Sequence, residues 1–263
     1  MAGVEAPGTA TIVGTGIRVA SQLTLEARQA IETADKLFHL ASDEILETYL
    51  ARINPTAESL LQAVKSRSSR SRAYREMMTE VLRWVRSGAH VCVACYGHPG
   101  VLVDISRLIT VAAKQEGFGC RILPGISALD CLYAEVGLDP GRDGCMEYDA
   151  TDFLVYRRVF SVETPLVLMQ PGYAGNLTIT PEASPIALEL LAERLGSAYG
   201  YNHDIVIYEA SPYNVAPSKI IPCRISDLPE TSIGPAATLY IPPLRKAVPA
   251  RDILLRLRLP IPD

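Results

Sequence analysis

The stretch KSRSSRSRAY, residues 65–74, concentrates arginine and serine side chains in a chain whose formal net charge is −4. Three interpretations fit such a tract: a solvated low-complexity loop, a contact to nucleic acid, or part of an active site. Composition by itself favours the solvated loop. The acidic balance of the chain argues against nucleic acid as a partner, because proteins that bind nucleic acid usually present a basic field.

Glycine-rich loops are the second feature that could serve chemistry, since glycine lets backbone amides approach a ligand closely. Gly14-Thr15-Gly16 follows the strand-like run TATIV, and the loops YGHPGV and LPGIS each follow another apolar run. The first loop lacks the third glycine of a dinucleotide site and the lysine of a P-loop, so a tight turn explains it at least as well as a ligand contact. Gln170 ends the run VLMQ without an obvious role in a core, which favours contact with a ligand.

Length and composition describe a globular protein of one large domain or two smaller ones, with 263 residues of which 48% are apolar. The six cysteines show no zinc-type spacing, so we expect reduced thiols and no metal site. The first residues lack the pattern of a signal peptide, and no apolar run approaches the roughly 18 residues of a membrane span. We therefore expect a soluble cytoplasmic enzyme without a nucleic-acid or membrane partner.

Strand-like runs, loops and helical patterns alternate along the whole chain, which predicts an α/β fold. Helices are predicted over 23–38, 72–88, 105–117 and 184–200, with another capped by Ser127, and strands in the second half over 164–172, 203–210 and 236–243. We expect two α/β domains, 9–122 and 123–246, followed by a short C-terminal helix and tail, 247–263. Loops that follow strands should gather at the carboxyl edges of two sheets, where open α/β sheets bind ligands.

Five segments, taken in order, resemble the tetrapyrrole methylase superfamily: TIVGTGI, YGHPGV, LPGISALDCLYAEVGLDP, VLMQPG and ATLYIPP. Within it they are most similar to the borosin-type peptide backbone α-N-methyltransferases, and EYDATDFLVYR and PPLRKA extend the match over residues 9–258. The resemblance implies two α/β domains of tetrapyrrole methylase type. It also implies that S-adenosylmethionine (SAM) binds in the cleft between them, with S-adenosylhomocysteine as product and no metal.

Carried over position by position, the resemblance implies a cofactor site formed by both domains. The YGHPGV loop would contact methionine and ribose, the helix capped by Ser127 would flank the sulfonium, and the second domain would hold the adenine. His98, between Gly97 and Pro99, is more simply interpreted as shaping its loop than as transferring a proton. The implied cofactor contacts are Tyr96, His98, Gly100, Val101, Val103, Ser127, Ala128, Gln170, Tyr208, Ala210, Ala237 and Thr238.

The resemblance also gives part of the arginine–serine tract a catalytic role. Arg70, Tyr74 and Met77 match the family pattern Arg-x-x-x-Tyr-x-x-Met, which implies that Arg70 and Tyr74 are catalytic. A peptide nitrogen is a poor nucleophile because its lone pair is delocalised into the carbonyl. Its methylation requires loss of the N–H proton and stabilisation of negative charge on the carbonyl oxygen; a guanidinium can stabilise that charge, and a phenol can relay or accept the proton. Val64 occupies the position of a further catalytic tyrosine of the family. Three explanations are open: another tyrosine of the chain takes its role, Arg70 and Tyr74 suffice for catalysis, or the substrate is not the usual backbone amide.

The predicted function is SAM-dependent methylation of backbone amides in a separate ribosomal precursor peptide, because no core peptide follows the last helix before Asp263. The resemblance implies a homodimer, possibly a heterotetramer with the precursor. One alternative is a methyltransferase of the same fold with a small tetrapyrrole-like substrate. Another, which Val64 keeps open, is a SAM-binding partner subunit with impaired catalysis. For the other arginines near Arg70 we expect a solvated face: Arg67, Arg72 and Arg75.

Overall fold

The computed structural model describes residues 7–41, 43–64, 69–176, 178 and 184–260. Contacts group the chain into two compact units. The first consists of Met1–Gly137, Asn176–Pro181 and Glu209–Lys219, and the second of Leu138–Gly175, Glu182–Tyr208 and Ile220–Asp263. Each unit contains a sheet and helices, which confirms the predicted α/β class.

The first unit contains a five-stranded sheet in the order β3-β2-β4-β1-β5, in which each of these neighbouring pairs is parallel. Its strands are β1 (Thr9–Gly14), β2 (Lys36–Leu40), β3 (Glu58–Ser59), β4 (His90–Cys95) and β5 (Gly119–Leu123). Its helices are α1 (Leu25–Glu32), α2 (Glu44–Ile53), α3 (Arg70–Arg86), α4 (Asp104–Glu116) and α5 (Ala128–Val136). Since all these strands run the same way, the loops that follow them meet at one edge of the sheet.

The alternation of side chains along the parallel strands supplies a core on each face of the sheet. Ile12 and Phe38 belong to one core cluster, which also takes Met77 and Val81 from α3. The neighbouring residue Val13 belongs to the other cluster, together with buried residues of α1 and α2. Helices on both faces of the sheet therefore fix the strand ends that carry the loops.

The helix predicted over residues 23–38 is wrong in its second half. α1 ends at Glu32, and Lys36–Leu40 forms β2 instead, paired with β4 from Val91 to Cys95. Leu37 and Phe38 are fully buried on opposite faces of the sheet, an arrangement that a strand provides and a helix does not. Tertiary burial therefore overrides the helical spacing of the alanines that precede this strand.

The second unit contains a mixed sheet in the order β6-β7-β10-β8-β9. β6 and β7 are parallel, whereas β10 is antiparallel to both β7 and β8. Its strands are β6 (Met146–Asp149), β7 (Leu166–Met169), β8 (Asp204–Glu209), β9 (Lys219–Arg224) and β10 (Thr238–Ile241). Its helices are α6 (Pro140–Asp143), α7 (Ala150–Val155), α8 (Pro185–Tyr199) and α9 (Arg251–Leu257). α7 and α8 bury Phe153, Leu191 and Leu195 in one core cluster against this sheet.

The boundary expected between residues 122 and 123 stays a prediction, and the contacts of α5 group that helix with the first unit. The short C-terminal helix expected within 247–263 corresponds to α9. Within the described ranges, no helix is both long and apolar enough to cross a membrane. All six cysteines are free thiols, and no group of His, Cys, Asp or Glu in the described part of the chain is arranged to hold a metal ion.

Candidate functional site

Three glycine loops of the first unit converge where β1 and β4 end. A Cβ atom on Gly14 would lie 2.4 Å from the carbonyl oxygen of Gly97 and 2.8 Å from Cα of Gly125. The backbones of Gly16 and Gly97 bond each other in both directions, at 3.0 and 3.3 Å. The loops GTG, YGHPG and LPGIS are therefore in contact, and glycine is required at Gly14 because only backbone fits there.

The loop after β4 carries the first group of predicted cofactor contacts. The amide of Tyr96 donates to the carbonyl of Leu40 at 3.4 Å, which holds the loop beside the end of β2. His98 organises the following turn, since its Nδ1 accepts from Gly100 N at 2.9 Å and its carbonyl accepts from Val101 N at 3.1 Å. The imidazole thus has the loop-shaping contact that the sequence favours. Val103, the last predicted contact of this loop, immediately precedes α4.

The phenol of Tyr96 is half-buried among negatively charged or titratable neighbours. The pKa of Tyr96 is raised to about 12, chiefly by burial and then by Cys131, Asp43 and Glu209 in that order. The phenol therefore stays protonated at neutral pH and acts as a hydrogen-bond donor. Carboxylates around it make this edge electronegative, which suits a cationic ligand.

Ser127 and Ala128 begin α5 through a reciprocal cap. Ser127 Oγ accepts from the amides of Leu129 at 3.1 Å and Asp130 at 3.3 Å, while Asp130 Oδ2 accepts from Ser127 N at 2.6 Å. Ser127 is buried, and the cap fixes its place beside the Gly125 approach. The N-cap predicted at Ser127 is confirmed, and its hydroxyl already serves the helix.

Arg70 is the first residue of α3, and Tyr74 follows one helical turn later on the same face. Arg70 Nε donates to the carbonyl oxygen of Thr178 at 3.3 Å. Asn176 Oδ1 accepts from Thr178 N at 2.8 Å and so helps to orient that carbonyl. The guanidinium of Arg70 thus binds a backbone carbonyl of the chain itself.

Val64 and Tyr74 both pack against the core cluster that contains Met77. The short 3-10 turn Leu60–Ala63 leads into Val64, which has extended backbone geometry and is half-buried. The structure therefore brings the position of the missing tyrosine and Tyr74 to the same cluster. Of the flanking arginines, Arg72 and Arg75 are exposed as expected, whereas Arg67 lies outside the described residues.

The predicted contacts of the second unit meet at one edge of its sheet. Thr238, at the start of β10, pairs with Met169 at the end of β7 and with Tyr208 near the end of β8. Gln170 follows Met169 with φ 55° and ψ 40°, a left-handed conformation that side-chain-bearing residues adopt at a cost. Ala237, Tyr208 and Thr238 are buried, so this edge combines a polar residue of left-handed backbone conformation with buried neighbours.

Two residues at the carboxyl edge of the first sheet were missed from the sequence, Asp43 and Tyr213. Asp43 caps α2, since Oδ1 accepts from the amides of Ile45 and Leu46 at 2.9 Å. Its other oxygen accepts from Tyr213 OH at 3.1 Å. Asp43 directly before the helical pattern EILETYL signals a cap, but no local pattern links positions 170 residues apart.

The model of the tetrapyrrole (corrin/porphyrin) methylases matches residues 9–212 of the chain. The chain belongs to the tetrapyrrole methylase family. It resembles in fold the uroporphyrin-III C-methyltransferase of Thermus thermophilus, with a TM-score of 0.64 and 17% identity over 97% of this chain and 98% of that one. The recognition made from the glycine loops is thus confirmed, and the protein is a member of a methyltransferase family.

The curated relatives of the chain include methyltransferases whose names also contain a cyclic-peptide precursor. A methyltransferase/ribosomally synthesized cyclic peptide gymnopeptides precursor from Gymnopus fusipes is 37% identical over 96% of this chain and 61% of its own length. A methyltransferase/ribosomally synthesized type I borosin cyclic peptide precursor from Coprinopsis marcescibilis is 34% identical over 90% of this chain and 62% of its own. The chain therefore spans about three fifths of the length of these relatives.

Proposed function

We propose that this methylase transfers methyl groups from SAM to backbone amide nitrogens of a ribosomally synthesized precursor peptide. Family membership supports methyl transfer, and the relatives' names combine a methyltransferase with a cyclic-peptide precursor. The contact between Arg70 and the Thr178 carbonyl is the observation that carries the choice of a peptide substrate. A guanidinium that already accommodates a peptide carbonyl has the geometry that a substrate amide would require.

The residues of the glycine loops fit SAM as cofactor. Gly14 and Gly125 let the three loops pack backbone against backbone, which holds the loops of Tyr96 and Ser127 side by side. Gln170 is held in a left-handed conformation, which is typical of residues retained for a ligand contact. SAM, when bound, would supply the methyl group: the bond from carbon to sulfur breaks, its two electrons stay on sulfur, and the bond from carbon to nitrogen forms. The Tyr96 phenol and the other predicted contacts of its loop would orient it.

Arg70 and Tyr74 would have different roles at the peptide amide: Arg70 would act on its carbonyl oxygen and Tyr74 on its N–H proton. The amide nitrogen must lose its proton before it attacks, and its negative charge is shared with the carbonyl oxygen. Arg70 would hold that oxygen in place of the Thr178 carbonyl and stabilise its charge. Tyr74, one turn along α3, would accept the proton on its phenol oxygen while its own hydroxyl proton passes toward solvent. Val64 packs against the same core cluster as Tyr74 but has no hydroxyl, so Tyr74 would be the residue that relays the proton.

The substrate arrangement and assembly are further parts of the proposal. The curated relatives carry methyltransferase and precursor in one chain, so delivery of a separate precursor, in trans, stays a prediction. We infer a homodimer, or a heterotetramer with the precursor, because α9 exposes Leu255 at 79% and Leu257 at 62%. Light scattering of the chain with and without a peptide measures both masses, and a monomer under both conditions would exclude this assembly.

A methyl-transfer assay tests the function directly. The chain is incubated with SAM labelled in its methyl group and a synthetic peptide rich in Val, Ile and Gly, and tandem mass spectrometry locates the added methyl groups. We expect methylation on backbone nitrogen. Calorimetric binding of SAM without transfer to any peptide would instead support the partner-subunit alternative, and absence of SAM binding would reject both.

Arg70→Ala separates catalysis from binding. Loss of one oxyanion-stabilising group predicts a fall in kcat of about 10²–10³-fold, with SAM affinity nearly unchanged. Arg75→Ala is the matched control, because Arg75 is exposed on the same helix and should retain wild-type activity. Equal activities for the two variants would remove Arg70 from the mechanism.

A further inference from the structure

Residues Glu209–Lys219 pack with the first unit, although β8 before them and β9 after them belong to the second sheet. We call Glu209–Lys219 the connecting segment. Two of its contacts use backbone or exposed side chains: Val19 N donates to Pro212 O at 3.0 Å, and Ser21 Oγ donates to Asn214 Oδ1 at 3.0 Å. Both reach the loop that follows β1, so the segment lies against the converging glycine loops.

The third contact is the side-chain pair of Tyr213 and Asp43, at 3.1 Å. Both oxygens of the Asp43 carboxylate are occupied, since Oδ1 caps α2 and Oδ2 accepts from the phenol. Tyr213 is equally constrained on its backbone side, where Ser211 Oγ accepts from Tyr213 N at 3.2 Å and donates to its carbonyl at 3.1 Å. The pair thus connects a rigid helix start to a tight turn of the connecting segment.

The start of the connecting segment reaches the predicted cofactor loop. Glu209 and Asp43 both interact electrostatically with the Tyr96 phenol and raise its pKa. Ala210, a predicted cofactor contact, follows Glu209 and is buried. Lys219 Nζ lies 3.0 Å from Glu209 Oε1 and so closes the two ends of the segment on each other. The phenol–carboxylate bond is therefore placed to control where Ala210 lies relative to Tyr96.

We propose that Tyr213 is a positioning residue for the methyl donor: its bond to Asp43 holds the connecting segment so that Ala210 and Tyr96 form one side of the SAM site. This inference rests on the proposed SAM-dependent function. It predicts an effect on cofactor affinity and not on the chemical step. Tyr213 touches neither the peptide nor the transferred methyl group in this role.

Tyr213→Phe removes the hydroxyl and keeps the ring, so it tests the bond alone. Loss of a hydrogen bond to a charged group predicts a rise of about tenfold in the Kd and KM for SAM. At saturating SAM, kcat should change by less than about twofold, which a general loss of structure would not produce. Tyr201→Phe is the matched control, because Tyr201 is 51% exposed in the second unit and should leave SAM affinity unchanged.

Asp43→Asn provides the second arm, since asparagine is also a good N-cap and preserves the start of α2. If the two residues act through each other, the double variant should bind SAM about as weakly as either single variant. Additive losses, or a Tyr213→Phe variant with lower Tm but wild-type SAM affinity, would overturn the positioning role. Wild-type protein that binds no SAM would overturn the proposed function as well, whereas normal binding and transfer by both variants would overturn this inference alone.

Discussion

The two sheets bring loops to one edge by different routes. In the first sheet β1 and β4 are parallel neighbours, so the loops that follow them meet directly, as Gly14 and Gly97 show. In the second sheet β10 runs against β7 and β8, so the start of one strand lies beside the ends of two others. Thr238 therefore reaches the edge that carries Gln170 and Tyr208. Strand direction, and not loop sequence alone, decides which residues can share a site.

The interiors of the two units differ as well. The first unit divides its core between two faces of a sheet, whereas the second concentrates it in one cluster with stacked rings. Phe153 lies 5.3 Å from Phe160 by ring centroids, and Phe160 lies 5.9 Å from Tyr199. The guanidinium of Arg194 lies 4.2 Å above the Phe153 ring. Contacts between aromatic rings and with Arg194 therefore join Phe153, Phe160 and Tyr199 in the second core.

The largest effect is expected from Phe153→Ala, which removes the fully buried ring at the centre of the second core. Truncation of a buried phenylalanine predicts a loss of about 3–5 kcal/mol in the free energy of unfolding. Arg194 would also lose the ring beneath its guanidinium while its Nη1 still donates to the Phe153 carbonyl. Urea unfolding followed by far-UV circular dichroism measures the loss.

Phe38→Ala is the matched substitution in the first unit, where Phe38 is equally buried. The only tryptophan, Trp84, lies in the first unit, so its fluorescence follows that unit selectively. Because the core clusters share no residue, Phe38→Ala should shift the Trp84 transition more than Phe153→Ala does. Equal shifts of that transition by both variants would show that the two cores do not have separate stabilities.

A smaller effect is expected from Gly14→Ala at the point where the parallel loops meet. The new Cβ would lie 2.4 Å from Gly97 O, so the loops must separate, at a cost of about 1–3 kcal/mol. SAM affinity should fall too, because the separated loops carry the predicted contacts. Gly117→Ala is the control: it has φ +79° but no atom within 4 Å, so its cost of about 1–2 kcal/mol should spare SAM binding. Normal SAM affinity in Gly14→Ala would show that the contact between Gly14 and Gly97 is not needed for cofactor binding.

Local signals in the sequence predict much of the fold. β-branched runs before glycine loops predict β1 and β4, and Ser127 and Gly117 mark helix ends that the structure confirms. Short strands without a full alternating pattern were missed, as was the strand of Lys36–Leu40, which only pairing with β4 reveals. Strand formation there depends on contacts that no window of the sequence contains.

Some residues of the candidate site can likewise be predicted from the sequence, whereas others cannot. The glycine loops are visible because glycine is required for close backbone approach, and Arg70 and Tyr74 are visible through the family pattern. The Arg70–Thr178 and Asp43–Tyr213 bonds were not foreseen, because each joins residues more than a hundred positions apart. Long-range hydrogen bonds leave no periodic signal in the sequence, so the positioning of a site needs coordinates even when its chemistry does not.

The smallest expected effect is a pH dependence of stability in the first unit but not in the second. It depends on His39 of β2, which is 5% exposed. Burial lowers the pKa of His39, and the carboxylate of Glu47 opposes this only in part. An unfolded histidine titrates near pH 6.5, so below that pH the unfolded chain binds a proton that the native chain does not. The first unit should therefore be fully stable above about pH 6.5 and lose up to about 1.4 kcal/mol per pH unit below it.

His39→Gln should flatten this dependence between about pH 6.5 and 5, before most carboxylates titrate. His90→Gln, at the exposed first residue of β4, is the matched histidine substitution in the same sheet. Lys36, Glu47 and Glu58 line the same groove as His39, so their charges are present in every variant and cancel in the comparison. The Trp84 transition should show the effect and the second unit should not. An unchanged slope in His39→Gln would mean that the buried imidazole accepts its proton without unfolding, with Glu47 as the compensating charge.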